Sequence, residues 1–210
     1  MEKKIASHLL SMQAVFLRPE QPFTWASGIQ SPIYCDNRLT LSDCAVRTDI
    51  ENGLVDLIKT HFPACAAVFG TSTAGIAHAA IVAQLLNLPM GYVRSGSKDH
   101  GRGGKIEGRA IAGQKVVVVE DLISTGGSVI DVVDTLREAG CEVLGIVSIF
   151  TYDMKKGLDR LAEAQVKNVS LCNLDVLVQV AADTGYIQLS DVAKLLSFRD
   201  NPADESWMRL

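Results

Sequence analysis

Apolar and polar positions along the middle of the chain fall into blocks, and the blocks change period. Four consecutive valines, Val116 to Val119, sit in KVVVVEDLISTGGS (115–128), and VLGIVSIF (143–150) is a second run dominated by apolar residues. Short β-branched runs of this kind are the pattern of strands buried on both faces. Between them, Ser128–Ala139 is amphipathic at helical spacing and stops at Gly140. The same reading predicts strands at Ala66–Phe69, Gly91–Arg94, Lys115–Glu120 and Val143–Phe150, a helix at Ile76–Leu88, and a late strand at Val176–Val180. Strands separated by helices of this length build right-handed βαβ units. The pattern therefore predicts an α/β fold with a central parallel sheet flanked by helices.

The flanks read differently. Ile5, Leu9, Leu10, Met12, Val15, Phe16 and Leu17 recur at helical spacing, which predicts one amphipathic N-terminal helix. Residues from about 1–40 and 181–210 carry helices and an aromatic, proline-bearing loop. They are expected to form a small hood over one end of a core of about 41–180, within a single domain of 1–210. The tail after Phe198 is polar and predicted to be loose.

No membrane role is expected. Residues 62–93 lack Lys, Arg, Asp and Glu, but Gly70–Gly75 cuts the run and Pro89 ends it. Each half is shorter than the ~20 apolar residues that a bilayer crossing takes. His8, Ser11 and Gln13 interrupt the N-terminal apolar stretch and no small-residue cleavage site follows, so a secretory leader is not expected either.

Composition narrows the classes further. With 48% hydrophobic residues, 21% charged residues and a net charge of −4, the chain has the make-up of a globular protein and argues against nucleic acid as the main partner. The five cysteines (Cys35, Cys44, Cys65, Cys141 and Cys172) show no CxxC spacing. An odd number of thiols in mostly apolar settings predicts reduced, packed side chains and a cytoplasmic location.

The chemistry concentrates where the valine run ends. Glu120 and Asp121 stand at the strand's carboxyl end, where open α/β sheets bind ligands, and Leu122–Ser128 is predicted to turn into the next helix. The small residues Ser124, Thr125, Gly126, Gly127 and Ser128 let backbone N–H groups approach an anion, and a helix N-terminus favours negative charge. A phosphate loop beside two carboxylates is contradictory unless the ligand places sugar hydroxyls between a phosphate and a magnesium-bound anion. That combination predicts a phosphosugar site; the bland alternative is an acidic turn that merely starts a helix. GxxxxGK[ST] is absent, and GRGGKIEG lacks both the GxGxxG register and a preceding strand, which excludes the common nucleotide loops.

The segment 94–109 is cationic: Arg94, Lys98, Arg102, Lys105 and Arg109 stand against Asp99 and Glu107, with five glycines interspersed. Such a segment is expected to close over a polyanion and supply charge to a leaving group. The alternative is a solvated surface loop.

VVVVEDLISTGGS closely resembles the 5-phosphoribosyl 1-diphosphate (PRPP) fingerprint of type I phosphoribosyltransferases. Three further stretches narrow the resemblance to the orotate phosphoribosyltransferase family: YVRSGSKDHGRGGKIEG (92–108), FTWASGIQSPIYCDNR (23–38) and FGTSTAGI (69–76). Ala26, Gln30 and Gly96 depart from residues common in that family. The resemblance implies the type I phosphoribosyltransferase fold and displacement of pyrophosphate from ribose C1 by N1 of orotate. It implies that Lys98, His100 and Asp121 are catalytic, and that Arg94, Lys98, His100 and the run Glu120, Asp121, Leu122, Ile123, Ser124, Thr125, Gly126, Gly127 and Ser128 bind PRPP. Ser124 would also contact orotate, with Ser27–Tyr34 walling the base pocket. Mg²⁺ would be held mainly through PRPP, with no dedicated protein metal site, and a homodimer would share its active sites. The rivals are a transferase for another base and a PRPP-sensing regulator that has lost catalysis. Lys98 and His100 within KDHG, and the acidic chain, count against the regulator.

Overall fold

A computed structural model of the chain describes residues 1–25, 28–96 and 104–210. The elements run α1 (Glu2–Ser11), β1 (Val15–Leu17), β2 (Phe23–Thr24), β3 (Gln30–Ser31), β4 (Ile33–Cys35), a 3-10 turn (Asn37–Ser42) and α2 (Cys44–His61). The central part follows as β5 (Ala67–Thr71), α3 (Ala74–Leu86), β6 (Met90–Val93), β7 (Ile106–Glu107), β8 (Lys115–Ile123), α4 (Gly127–Glu138) and β9 (Glu142–Thr151). The chain ends with α5 (Lys155–Glu163), β10 (Asn168–Asn173), α6 (Leu174–Asp183), α7 (Asp191–Asp200) and a 3-10 turn (Glu205–Arg209).

Six strands form the central sheet in the order β10-β9-β8-β5-β6-β7. All pair in parallel except β7, which runs antiparallel along β6. Val116–Val119 and all of β5 are buried, as strands covered by helices on both faces must be. Chain order reverses between β5 and β8, so a crevice opens beyond their carboxyl ends at that point. The α2 and α3 helices are joined in the interior by His78, fully buried, whose Nδ1 lies 2.6 Å from Glu51 Oε1.

Four expectations need correction. The strand that holds the acids does not end at Glu120 but continues to Ile123, because Leu122 and Ile123 pair with Phe150 and Thr151 of β9. Val176–Val180 is not a strand: Asn173 caps a helix there by accepting the Val176 N–H at 3.0 Å, and the apolar residues form that helix's buried face. The late strand is instead β10, at the edge of the sheet, where polar residues interrupt the apolar pattern. The N-terminal helix stops at Ser11; Gln13 takes a positive φ, and Val15–Leu17 turns into a strand against Ile33–Cys35.

The tail is anchored rather than loose. Trp207 is completely buried and meets Phe198 edge-on at 5.9 Å between ring centroids. Phe198 meets Trp25 at 5.7 Å, and Trp25 meets Tyr152 at 6.2 Å. A ladder of aromatic rings thus joins both chain ends to the carboxyl end of β9. Arg199 adds an ion pair with Asp175 at 2.6 Å, and Lys194 pairs with Glu20. Exposed pairs of this kind contribute little, so the aromatic contacts carry the attachment.

Replacing a fully buried tryptophan by alanine costs about 3–5 kcal/mol. Trp207→Ala is expected to lower stability by that amount, read as an earlier urea midpoint in circular dichroism; an unchanged midpoint would show that the tail contributes no holding energy.

Candidate active site

The site is built at the carboxyl ends of β5 and β8. Glu120 is 5% exposed and accepts two hydrogen bonds on Oε1, from the Thr71 hydroxyl at 2.6 Å and from the Asp121 N–H at 2.9 Å. Burial, with the neighbouring Asp121 carboxylate next in weight, raises Glu120 to about 8, against the partial relief of the Thr71 hydroxyl. Glu120 therefore holds a proton around neutrality, and the half-buried Asp121 offers the more accessible carboxylate. Thr71 reaches Glu120 only because residue 75 is glycine: a Cβ there would stand 2.5 Å from Thr71 Oγ1 and 2.6 Å from the Val119 carbonyl.

The turn after the strand is short. Ser124 and Thr125 are half-buried, Gly126 takes φ +74° as the N-cap of α4, and Gly127 and Ser128 are already helical. A glycine N-cap brings no side chain to occupy the first helical N–H groups, and uncapped N–H groups at a helix start are suited to an anion. From the other side α5 holds the turn: Arg160 Nη1 donates to the Thr125 carbonyl at 3.1 Å.

The cationic segment begins and ends beside this crevice. Val93 and Ile106 pair in register, and the Arg94 N–H donates to the Lys105 carbonyl at 2.9 Å. The Ser95 N–H donates to Ser72 Oγ at 3.0 Å, which ties the segment's start to the loop after β5. The Arg94 guanidinium lies 3.1 Å from Glu107 Oε1 and donates to the Gly104 carbonyl at 3.2 Å. Lys98 and His100 lie outside the described residues, as does Ser27.

A cavity lies on the other side of Thr125. Trp25 and Ile29 face Thr125, Met154, Lys155, Lys156 and Arg160 across a cavity of about 610 Å³. Tyr34 instead stands on an exposed surface against Phe23, with ring centroids 5.6 Å apart. Asn37, fully buried, donates to the Asp121 carbonyl at 2.7 Å.

The structure thus brings together Glu120, Asp121, Leu122, Ile123, Ser124, Thr125, Gly126, Gly127 and Ser128, with Arg94 at the neighbouring strand end. Thr71, Asn37 and Arg160 shape the same site without having been singled out from the sequence. Thr71 had a local signal, as the first hydroxyl after the apolar run of β5. Asn37 lies in the stretch 23–38, but nothing there or around Arg160 points to their partners, which lie 84 and 35 positions away.

Because Glu120 keeps its proton to higher pH in the folded chain than in the unfolded one, the folded state binds more protons between the ordinary carboxylate range and about 8. Its stabilising contribution is complete below that range and is lost as pH rises through about 8. The melting temperature of the wild type, relative to Glu120→Gln, is expected to fall from about pH 5 to about pH 9. A difference that stays constant with pH would contradict a buried, protonated Glu120.

Known proteins resemble this chain in sequence and fold. The family model for the phosphoribosyl transferase domain matches residues 52–182. Orotate phosphoribosyltransferase of Bacillus cytotoxicus is 61% identical over 208 residues, covering 99% of this chain and 99% of that protein. The crystal structure of orotate phosphoribosyltransferase from Aeropyrum pernix is 31% identical and superposes with a TM-score of 0.75 over 87% of this chain and 99% of that one. The Mycobacterium tuberculosis H37Rv orotate phosphoribosyltransferase in complex with PRPP has the same fold, with a TM-score of 0.64, 21% identity, and coverage of 83% of this chain and 97% of that one. Identity of this extent over nearly the whole length establishes that the chain belongs to the orotate phosphoribosyltransferase family.

Proposed function

We propose that this chain transfers the 5-phosphoribosyl group from PRPP to orotate, giving orotidine 5′-phosphate and pyrophosphate in de novo pyrimidine (UMP) biosynthesis. The observation that carries this reading is the crevice itself: a strand that carries paired acids near its carboxyl end leads, through a short turn, to a glycine-capped helix N-terminus. The N–H groups of 125–128 suit the 5-phosphate, and Asp121, supported by Glu120, suits the ribose hydroxyls.

In the reaction the ribose C1–O bond to pyrophosphate breaks and a bond from C1 to orotate N1 forms, with N1 giving up its proton. Positive charge develops on the ribose, so a carboxylate beside the sugar and cations around the departing pyrophosphate both lower the barrier. Asp121 fills the first role. Arg94, Lys98 and His100 fill the second; the guanidinium fork of Arg94 matches phosphate oxygens once it exchanges Glu107 for them. Ser124, at the head of the turn, contacts orotate.

Among the described residues, no three His, Cys, Asp or Glu side chains converge on a cation. Mg²⁺ commonly binds through one or two carboxylates plus substrate oxygens, and Asp121 fits such a partial set. Bound with PRPP, it would neutralise charge on the leaving pyrophosphate. The whole chain, 1–210, works as one domain whose hood covers the base, in a cytoplasmic homodimer whose subunits share active sites. No described helix is long and apolar enough to cross a membrane.

Absorbance assays with orotate, PRPP and Mg²⁺, run beside adenine, hypoxanthine and uracil, test the substrate: orotate alone should be consumed, and its persistence would overturn the reading. Lys98→Ala and Asp121→Ala should each lower turnover by orders of magnitude, with the fold intact by circular dichroism. Co-expressed as mixed dimers, the two variants should recover part of the activity. Demonstrated mixed dimers without recovery would overturn site sharing.

A further inference from the structure

Asn37 makes a buried polar contact between the segment after β4 and the acid pair. Its side chain is completely buried, yet both polar atoms are satisfied: Nδ2 donates to the Asp121 carbonyl at 2.7 Å, and Oδ1 accepts from the Cys35 thiol at 3.3 Å. Its own carbonyl accepts the Thr40 hydroxyl at 2.6 Å. The residues around it are pinned as well. The Asp36 N–H donates to the Ala14 carbonyl at 2.7 Å, and Arg38 grips the Asp36 carboxylate with two hydrogen bonds of 2.6 and 2.8 Å. Burial, with the Asp121 charge next, pushes the Cys35 thiol well up, so it stays a donor to Asn37.

Toward β9 the residues flanking Asp121 are paired, Glu120 with Ser148 and Leu122 with Phe150, so the unsupported side is the one toward β5. Pairing between β5 and β8 ends at Val119, and Asn37 supplies the Asp121 carbonyl with a donor from outside the sheet. We infer that Asn37 is a positioning residue: it fixes the main chain of Asp121, and hence its carboxylate, against the ribose, and links that grip to the hood segment that walls the base. The inference rests on the proposed transferase reaction. Loss of the amide would take that donor from the part-buried Asp121 carbonyl and loosen residue 121 on its β5 side, and displacements near 1 Å are enough to cost on the order of a hundredfold in rate.

The test is a double-mutant cycle on kcat/KM for PRPP, with folding followed separately by circular dichroism. Wild-type consumption of orotate comes first, since its absence would count against the reaction rather than against Asn37. Asn37→Ala is expected to lower kcat/KM by about tenfold or more in the wild-type background, but by less than about twofold when Asp121 is already Asn, because the group it positions is then gone. Equal losses in both backgrounds, or no loss in a folded protein, would overturn the inference. Should Asn37→Ala fail to fold, Asn37→Ser decides by the same comparison. Its hydroxyl keeps the buried pocket polar but is too short to reach the Asp121 carbonyl.

Discussion

A carboxyl group buried at the end of a parallel strand must find hydrogen bonds or a proton, and Glu120 takes both. The Thr71 hydroxyl and the Asp121 N–H converge on one of its oxygens, and burial keeps the group protonated. This junction spans the point where chain order reverses between β5 and β8, so the same contact that satisfies Glu120 also fixes the distance between the two strand ends. Gly75 is part of the constraint, because any side chain there would displace the Thr71 hydroxyl. The loop after β5 and the turn after β8 therefore share one support.

Other elements hold the turn from outside the sheet. Arg160 on α5 takes the Thr125 carbonyl, and Asn37 in the hood takes the Asp121 carbonyl. With those carbonyls occupied, the N–H groups at the start of α4 remain for an anion.

The parts legible in the sequence were those whose physics is local. The valine strand shows because burial on both faces leaves no polar position in it, and the run 120–128 shows because the acids, the turn and the helix start are contiguous. β10 did not show, since an edge strand interleaves Asn168, Ser170 and Asn173 with its apolar residues. Val176–Val180 reads as a strand on its apolar run, whereas the Asn173 side chain caps a helix that contains it. Trp207 stands in a polar tail, and nothing nearby in sequence shows that its ring reaches Phe198. Contacts between residues 37 and 121 leave no periodic trace at all.

The aromatic ladder has an optical consequence. The chain contains only two tryptophans, Trp25 and Trp207, and both belong to that ladder, each in edge contact with Phe198. Indole emission from the whole protein therefore originates on the two sides of Phe198. Movement of the chain ends against the sheet changes the surroundings of both indoles at once, whereas loosening around α3 or β7 leaves them spectrally silent. The protein carries its own fluorescent reporter, and one of its two indoles, Trp25, lines the cavity beside Thr125.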